Sequence, residues 1–216
     1  MNYERLYEYR FREIDQAQRV AVWREIGPHI HRLMGGPQKV LDPAAGRGEF
    51  IGSVPAGETW AVDQVAYPEA THKPETTVIT ASIMDADLPE DHFDGIFVSN
   101  FLEHLADQPS IAAFLRKMHR LSEDDGRIAV MGPNYRYCSG RYWDCADHYV
   151  ALTHESICEH LYAAGFEPDR VIPRYLPYSF RGSLPSSSGL ARLYLNLPLA
   201  WKVLGKQFLV IGRKLG

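Results

Sequence analysis

Two stretches of the chain place acids and histidines where they could do chemistry. In KVLDPAAGRGEF, Lys39 to Phe50, an apolar run ends in Asp42 and then turns through Ala44, Gly46 and Gly48. The next apolar run, TWAVDQV, ends in Asp63. An acid at a strand end can brace such a turn or hold an ammonium group, and the glycines let backbone approach a ribose closely. Asp63 is placed to accept both ribose hydroxyls. The second stretch, Asn134 to Tyr149, puts His148 beside Asp147 and Asp144 among Tyr135, Tyr137, Tyr142 and Trp143. A histidine titrating near neutrality can take the proton of a hydroxyl acceptor. His148 is therefore the expected general base, with Asp147 or Asp144 orienting it. The aromatic side chains suit a flat or sugar-like acceptor face. The plainer alternative is that they are core residues of a covering loop.

The glycine spacing limits the nucleotide. A dinucleotide turn wants G-x-G-x-x-G, with the diphosphate on exposed helix amides. Here Ile51 stands at the third glycine, and Glu49 would set a negative charge beside that diphosphate. A cationic nucleoside without phosphates, S-adenosylmethionine, fits better than NAD.

These residues need a frame. Apolar positions recur at helical spacing from Asp15 to Met34, ahead of Gly35, Gly36 and Pro37. KVLDP, TWAVDQV, TTVITASI and Gly95 to Val98 follow as strands, and a helix is expected from Ile111 to Leu121. EDDGRIAVMGPN gives a turn and a fifth strand; Thr153 caps a helix that Gly165 ends. DRVIPRYL and KQFLVIGRK read as two closing strands, separated by a Pro, Ser and Gly-rich stretch and a short apolar helix. Alternating strands and helices predict an α/β layer sandwich around a parallel sheet.

With 216 residues, 45% of them hydrophobic, the chain can bury one substantial core. Acids and bases are interspersed, with no basic block and a net charge of -4, which argues against nucleic acid as a partner. Cys138, Cys145 and Cys158 have no zinc or redox spacing, as expected of thiols in a reducing compartment. The N-terminus lacks an apolar signal region, and the tract from Leu190 to Ile211 is broken by Arg192, Pro198, Lys202 and Lys206. A cytoplasmic protein without stable membrane insertion is expected.

VLDPAAGRGEF, AVDQV, LPEDHFDGIFVSNFLEHL, DGRIAVMGPN and HESICEHLYAAGF together resemble the class I S-adenosylmethionine-dependent methyltransferases from about Val40 to Phe166. More narrowly, AAGRGEF, SNFLEHL, PNYRY with RYWDCADHY, and LYLNLPLAWKVLGKQFLVIGRK resemble a bacterial group that accompanies polysaccharide or secondary-metabolite biosynthesis. The resemblance implies a Rossmann-like, seven-stranded, mostly parallel sheet with an antiparallel last strand and helices on both faces. It implies one domain over 1–216, with a helical cap at 1–36 and acceptor-side insertions at 134–152 and 177–205. The loop, Asp63 and the aromatic His148 segment together point to O-methylation of a small glycosyl or natural-product hydroxyl.

Carried over position by position, the resemblance puts Asp42, Ala44, Gly46 and Gly48 against the methionine and ribose, and Asp63 on the ribose with Gln64 beside the adenine. Ser82 and Ile83 stand where the family often has an acid for the adenine amino group. Ser99, Asn100 and Phe101 line the methionine side, and Arg10, then Arg19, are candidates for the cofactor carboxylate. Ala44 departs from the family's first glycine. Some related quinone-biosynthesis enzymes hold a divalent metal with a Glu-His pair and an acid three residues earlier. Here Glu103 and His104 follow Asn100, so no metal is expected, and the pair is expected to shape the acceptor side of the pocket. Leu190 to Leu204 is expected to pack beside the last strand, the alternative being a shield for an apolar or lipid-linked acceptor. Two other functions stay open: a cofactor-binding or assembly protein without turnover, and an NAD-dependent oxidoreductase.

Overall fold

Short β-branched and apolar runs pair into one sheet in the computed structural model, which describes residues 3–12, 15–178 and 187–215. β1 (Lys39–Asp42), β2 (Glu58–Asp63), β3 (Thr77–Thr80), β4 (Phe93–Ser99) and β5 (Ser122–Pro133) run parallel. β6 (Phe166–Ile172) and β7 (Gln207–Lys214) complete a seven-stranded sheet of order β3-β2-β1-β4-β5-β7-β6, with β7 antiparallel to both its neighbours. The expected sheet is therefore present, including its reversed last strand.

Neighbouring residues of each central strand point to opposite faces, so each strand feeds two cores. Leu41, Ile96, Val98, Ile128 and Val130 pack on one side with α4 (Gln108–Leu121) and α6 (His154–Ala163). Val40, Phe97, Ala129 and Met131 pack on the other with α2 (Gln16–Leu33) and α3 (Glu49–Ser53). Ahead of α2 lies α1 (Tyr3–Phe11).

Caps explain several boundaries. Asp15 accepts the Gln18 amide at 3.1 Å to open α2. Thr153 and Ser156 form a reciprocal capping box on α6, and Gly165, at φ +94°, follows its end. α4 begins three residues earlier than its apolar periodicity predicts, because Asp107 caps it and Pro109 fits the first turn. α5 (Tyr135–Tyr142) forms where a covering loop is expected, opened by Asn134 and distorted at Cys138. The single tail helix is in fact two, α7 (Ser188–Leu195) and α8 (Pro198–Leu204). β6 starts at Phe166, ahead of the DRVIPRYL run. Residues 179–186 of the 177–205 insertion, and 1–2 and 13–14 of the 1–36 cap, lie outside the described residues.

Candidate active site

The strand order reverses between β1 and β4, the place where open α/β sheets leave a crevice at their carboxyl ends. A cavity of about 880 Å³ lies there. Asp42 ends β1 buried, and its carboxylate accepts the Ala44 amide at 3.3 Å. Burial pushes the Asp42 carboxyl up to about 8; the Ala44 amide opposes the shift, while Asp63 and Glu49 add to it. Gly46 and Gly48 both take the left-handed conformation, at φ +53° and +76°. The Gly46 amide thereby reaches Asp63 Oδ2 at 2.7 Å, and Asp63 Oδ1 accepts the Val65 amide at 3.0 Å. Gly48 opens α3 with its back to the cavity, since a Cβ there would stand 3.1 Å from the His72 amide nitrogen.

A second part of the cavity lining is built on the turn Leu102–His104 and the loop after α5. The Tyr149 amide donates to the Glu103 carbonyl at 2.9 Å and ties that loop to the turn. His104 Nδ1 lies 2.8 Å from the Asp147 backbone oxygen and 3.3 Å from Asp147 Oδ2. A carbonyl oxygen only accepts, so Nδ1 carries the hydrogen, and in the uncharged ring the lone pair would lie on Nε2. Fully buried Asp147 also pairs with Arg10 from the last turn of α1. Burial would raise the Asp147 carboxyl, but the Arg10 hydrogen bond and the charges of His104 and Arg10 outweigh it and hold the carboxyl below its usual range.

His148 differs from its expected arrangement. Asp147 turns toward His104 and Arg10, so it does not orient the neighbouring histidine. His148 packs edge-on against Tyr142 at 4.6 Å and against His104 at 5.0 Å, with its buried Nδ1 unpartnered among the described residues. Burial first, then the nearby charges of His104 and Arg10, lower it to about 4, against the pull of Asp147. Glu103 is buried too, and burial raises its carboxyl. Glu103, His104 and His148 offer ligand atoms within 4.8 Å of one another, a donor set able to hold a divalent ion. The third donor comes from the loop after α5, whereas the expectation looked for it at Asn100.

The cavity brings together Arg10, Arg19, Asp42, Ala44, Gly46, Asp63, Gln64, Ser82, Ile83, Ser99, Asn100, Phe101, His104, Asp144 and His148. Asn100 sits at φ +48°, a conformation asparagine tolerates, with its side-chain amide on Ser99 Oγ at 2.9 Å. Ser82 Oγ accepts the Met84 amide at 3.3 Å. Arg19 is bonded to Glu49 at 2.5 Å, so the charge of Glu49 is offset. Buried Ile51 at the third-glycine position now carries more of the argument against a diphosphate.

Tyr135, Tyr137, Tyr142 and Trp143 do not line this cavity. The Tyr142 hydroxyl donates to the Val150 carbonyl at 2.6 Å and accepts the Leu152 amide at 3.2 Å, making it a brace of the loop. Tyr137 lies under the Arg174 guanidinium, and Trp143 faces solvent. An aromatic-rich stretch folded as a helix turns these rings to several sides. Lining residues absent from the sequence reading include Trp23, Tyr67, Phe97, Met131 and Tyr178. Tyr67 had a signal, its place in the loop after Asp63; Met131 and Tyr178 had none.

Residues 41–130 match a family model described as a methyltransferase domain. None of the curated proteins compared matches the sequence. Among solved structures, a SAM-dependent methyltransferase from Archaeoglobus fulgidus superposes with a TM-score of 0.65 at 19% identity, covering 99% of this chain and 100% of that one. Burkholderia thailandensis 1,6-didemethyltoxoflavin-N1-methyltransferase, with bound 1,6-didemethyltoxoflavin and S-adenosylhomocysteine, gives 0.64 at 21%, covering 99% and 89%. The [4+2]-cyclase SpnF gives 0.62 at 16%, covering 88% and 80%. At such identities the likeness is one of fold. Residues 41–130 thus resemble a methyltransferase domain, within a chain whose fold is similar to that of S-adenosylmethionine-dependent methyltransferases.

Proposed function

We propose that this protein is an S-adenosylmethionine-dependent methyltransferase acting on a hydroxyl of a small glycosyl or natural-product acceptor, in the cytoplasm and within polysaccharide or secondary-metabolite biosynthesis. One observation carries the reading: a single cavity is lined both by the β1–α3 glycine turn with Asp63 and by the Asp147-bound His104. The cavity also fits the cofactor on its own terms. Its volume suits a nucleoside-sized ligand plus acceptor, and no side chain crowds the Cβ position of Gly46. Asp63 spends one bond per oxygen on backbone amides, which leaves acceptor capacity for ribose hydroxyls.

When bound, S-adenosylmethionine supplies a methyl group already activated by its sulfonium. The chain's own work is to orient the acceptor, exclude water and take a proton. Of the two histidines, His104 suits the proton-acceptor role. Asp147 fixes its tautomer with Nε2 basic, and would stabilise the charge it gains. His148, lowered to about 4, is a weak acceptor near neutrality and would serve as the wall behind His104. The segment 1–36 would close one side through Arg10, and 134–152 and 177–205 would flank the acceptor. Residues Asp42, Ala44, Gly46, Gln64, Ser82, Ile83, Ser99, Asn100 and Phe101 would hold the cofactor.

Incubation with methyl-labelled S-adenosylmethionine and a panel of hydroxylated glycans and natural products tests this reading. Label on an acceptor oxygen supports it, and label on nitrogen corrects the acceptor atom. Cofactor bound with no label transferred to any acceptor favours instead a binding or assembly role, which Ala44 and Ser82, departures at two cofactor contacts, would suit. Tighter binding of NAD than of S-adenosylhomocysteine would favour an oxidoreductase.

A further inference from the structure

The tail helices carry apolar side chains that face the core and others that are exposed. Leu195 is buried, and Ala191, Tyr194 and Trp201 pack toward the α2 side of the core. Leu190 and Leu193 on α7, and Leu197 at the start of α8, are about half exposed. On α8, Leu199 and Val203 are 76% and 71% exposed, with Leu204 beside them. Six large aliphatic side chains are thus exposed within one short stretch of two consecutive helices, more than singly scattered surface apolar residues explain.

The charge along this part of the sequence is one-sided. The interspersion of acids and bases ends at Asp169: the first 169 residues hold 15 Lys and Arg against 27 Asp and Glu, and the last 47 hold eight Lys and Arg with no acid. Between Arg174 and Lys206 there are five cations, Arg174, Arg181, Arg192, Lys202 and Lys206, and none of the acids that make the whole chain negative. Arg192 is held by Glu25, at 2.7 Å. Lys202 and Lys206 have no ion pair among the described residues, and Lys202 is exposed between Leu199 and Val203.

We propose that the outer face of α7 and α8 docks on an anionic phospholipid bilayer. Leucine and valine side chains would enter the interface while Lys202 and Lys206 reach phosphate oxygens, the arrangement of a helix lying in the membrane plane. No described helix is long and apolar enough to cross a membrane, so the attachment is peripheral. The face is joined directly to the cavity wall. The Lys206 amide donates to the Leu176 carbonyl at 2.7 Å, and Leu176 and Gln207 both line the cavity. Docking would therefore bring that wall to the bilayer surface.

Sedimentation with vesicles tests the proposal without reference to any methyl transfer. Binding to mixed phosphatidylglycerol and phosphatidylcholine vesicles should exceed binding to phosphatidylcholine alone by about thirtyfold, the factor for two lysines near an anionic surface, and should weaken with salt. L199D and V203D, at positions exposed enough to leave the thermal melt unchanged, should each lower binding at least about tenfold. No sedimentation with the anionic vesicles, or equal sedimentation of both variants and the native chain, overturns the proposal. A self-associated species in vesicle-free solution that L199D dissolves also overturns it, because the face would then belong to a second copy of the chain.

Discussion

His104 gives its Nδ1 hydrogen to Asp147, 2.8 Å from the backbone oxygen and 3.3 Å from Oδ2, while His148, the residue next to Asp147, receives no such support. The two histidines touch, yet only one is held in a defined tautomer with an acid behind it. That difference separates their expected roles.

His104→Gln should lower kcat by about 10²- to 10⁴-fold, the usual worth of a positioned proton acceptor, with the cofactor Kd within about twofold of native. His148→Asn should cost less than about tenfold. Steady-state kinetics with calorimetric affinities check both. A larger loss at His148 than at His104 would return the base to His148.

Asp147→Asn keeps the size of the side chain but removes the charge shared by Arg10 and His104. Turnover should fall, because the amide no longer offers His104 a carboxylate to stabilise the proton it takes up, while the cofactor Kd should stay within about twofold of native. A kcat equal to native would show that the contact only supports the loop. Some loss of stability should accompany it, on the order of 3 kcal/mol for breaking a buried ion pair, measured by denaturant unfolding.

Asp42 carries its own pH signature. Its folded value of about 8 lies above the ordinary 3.8, so its contribution to stability is present below pH 4 and is lost as pH rises through 8. Asp42→Asn should therefore flatten the fall of Tm between pH 5 and 9, as read by thermal melts across that range. A fall identical to native would place the ionisation elsewhere.

His29 gives the opposite sign. Burial, then Arg32 and Arg170, lower it to about 4, and its Nδ1 meets the Tyr175 hydroxyl at 2.9 Å. Stability tied to its neutral form is present above pH 6.5 and lost as pH falls through 4. His29→Gln keeps a polar partner for Tyr175 and should make the acid limb of the melting curve shallower. His148 titrates in the same window, so the double variant should be shallower still.

Much of the frame was legible because it is written in local pattern. Acids ending two apolar runs marked the tops of β1 and β2, and Thr153 with Gly165 marked both ends of α6. Most residues of the cofactor end follow from that, since each lies just after a strand. The acceptor end was less legible for a physical reason. Whether Asp147 turns to His148 or to His104 depends on how the loop after α5 lies over the Leu102–His104 turn, which no local pattern records. Likewise the periodicity of Leu190 to Leu204 gives an amphipathic helix without saying which face meets the core, and the small and aromatic residues Ala191, Tyr194 and Trp201 took the inner side.

Calorimetric titration of S-adenosylhomocysteine into the native protein and into Asp63→Ala tests the central claim most directly. Asp63 links the Gly46 turn to the proposed ribose position, so the account predicts binding at one site with micromolar-range affinity and a loss of about a hundredfold in the variant, as expected when a charge-assisted pair of hydrogen bonds goes. No heat of binding to the folded native protein, or equal affinity in Asp63→Ala, would contradict it.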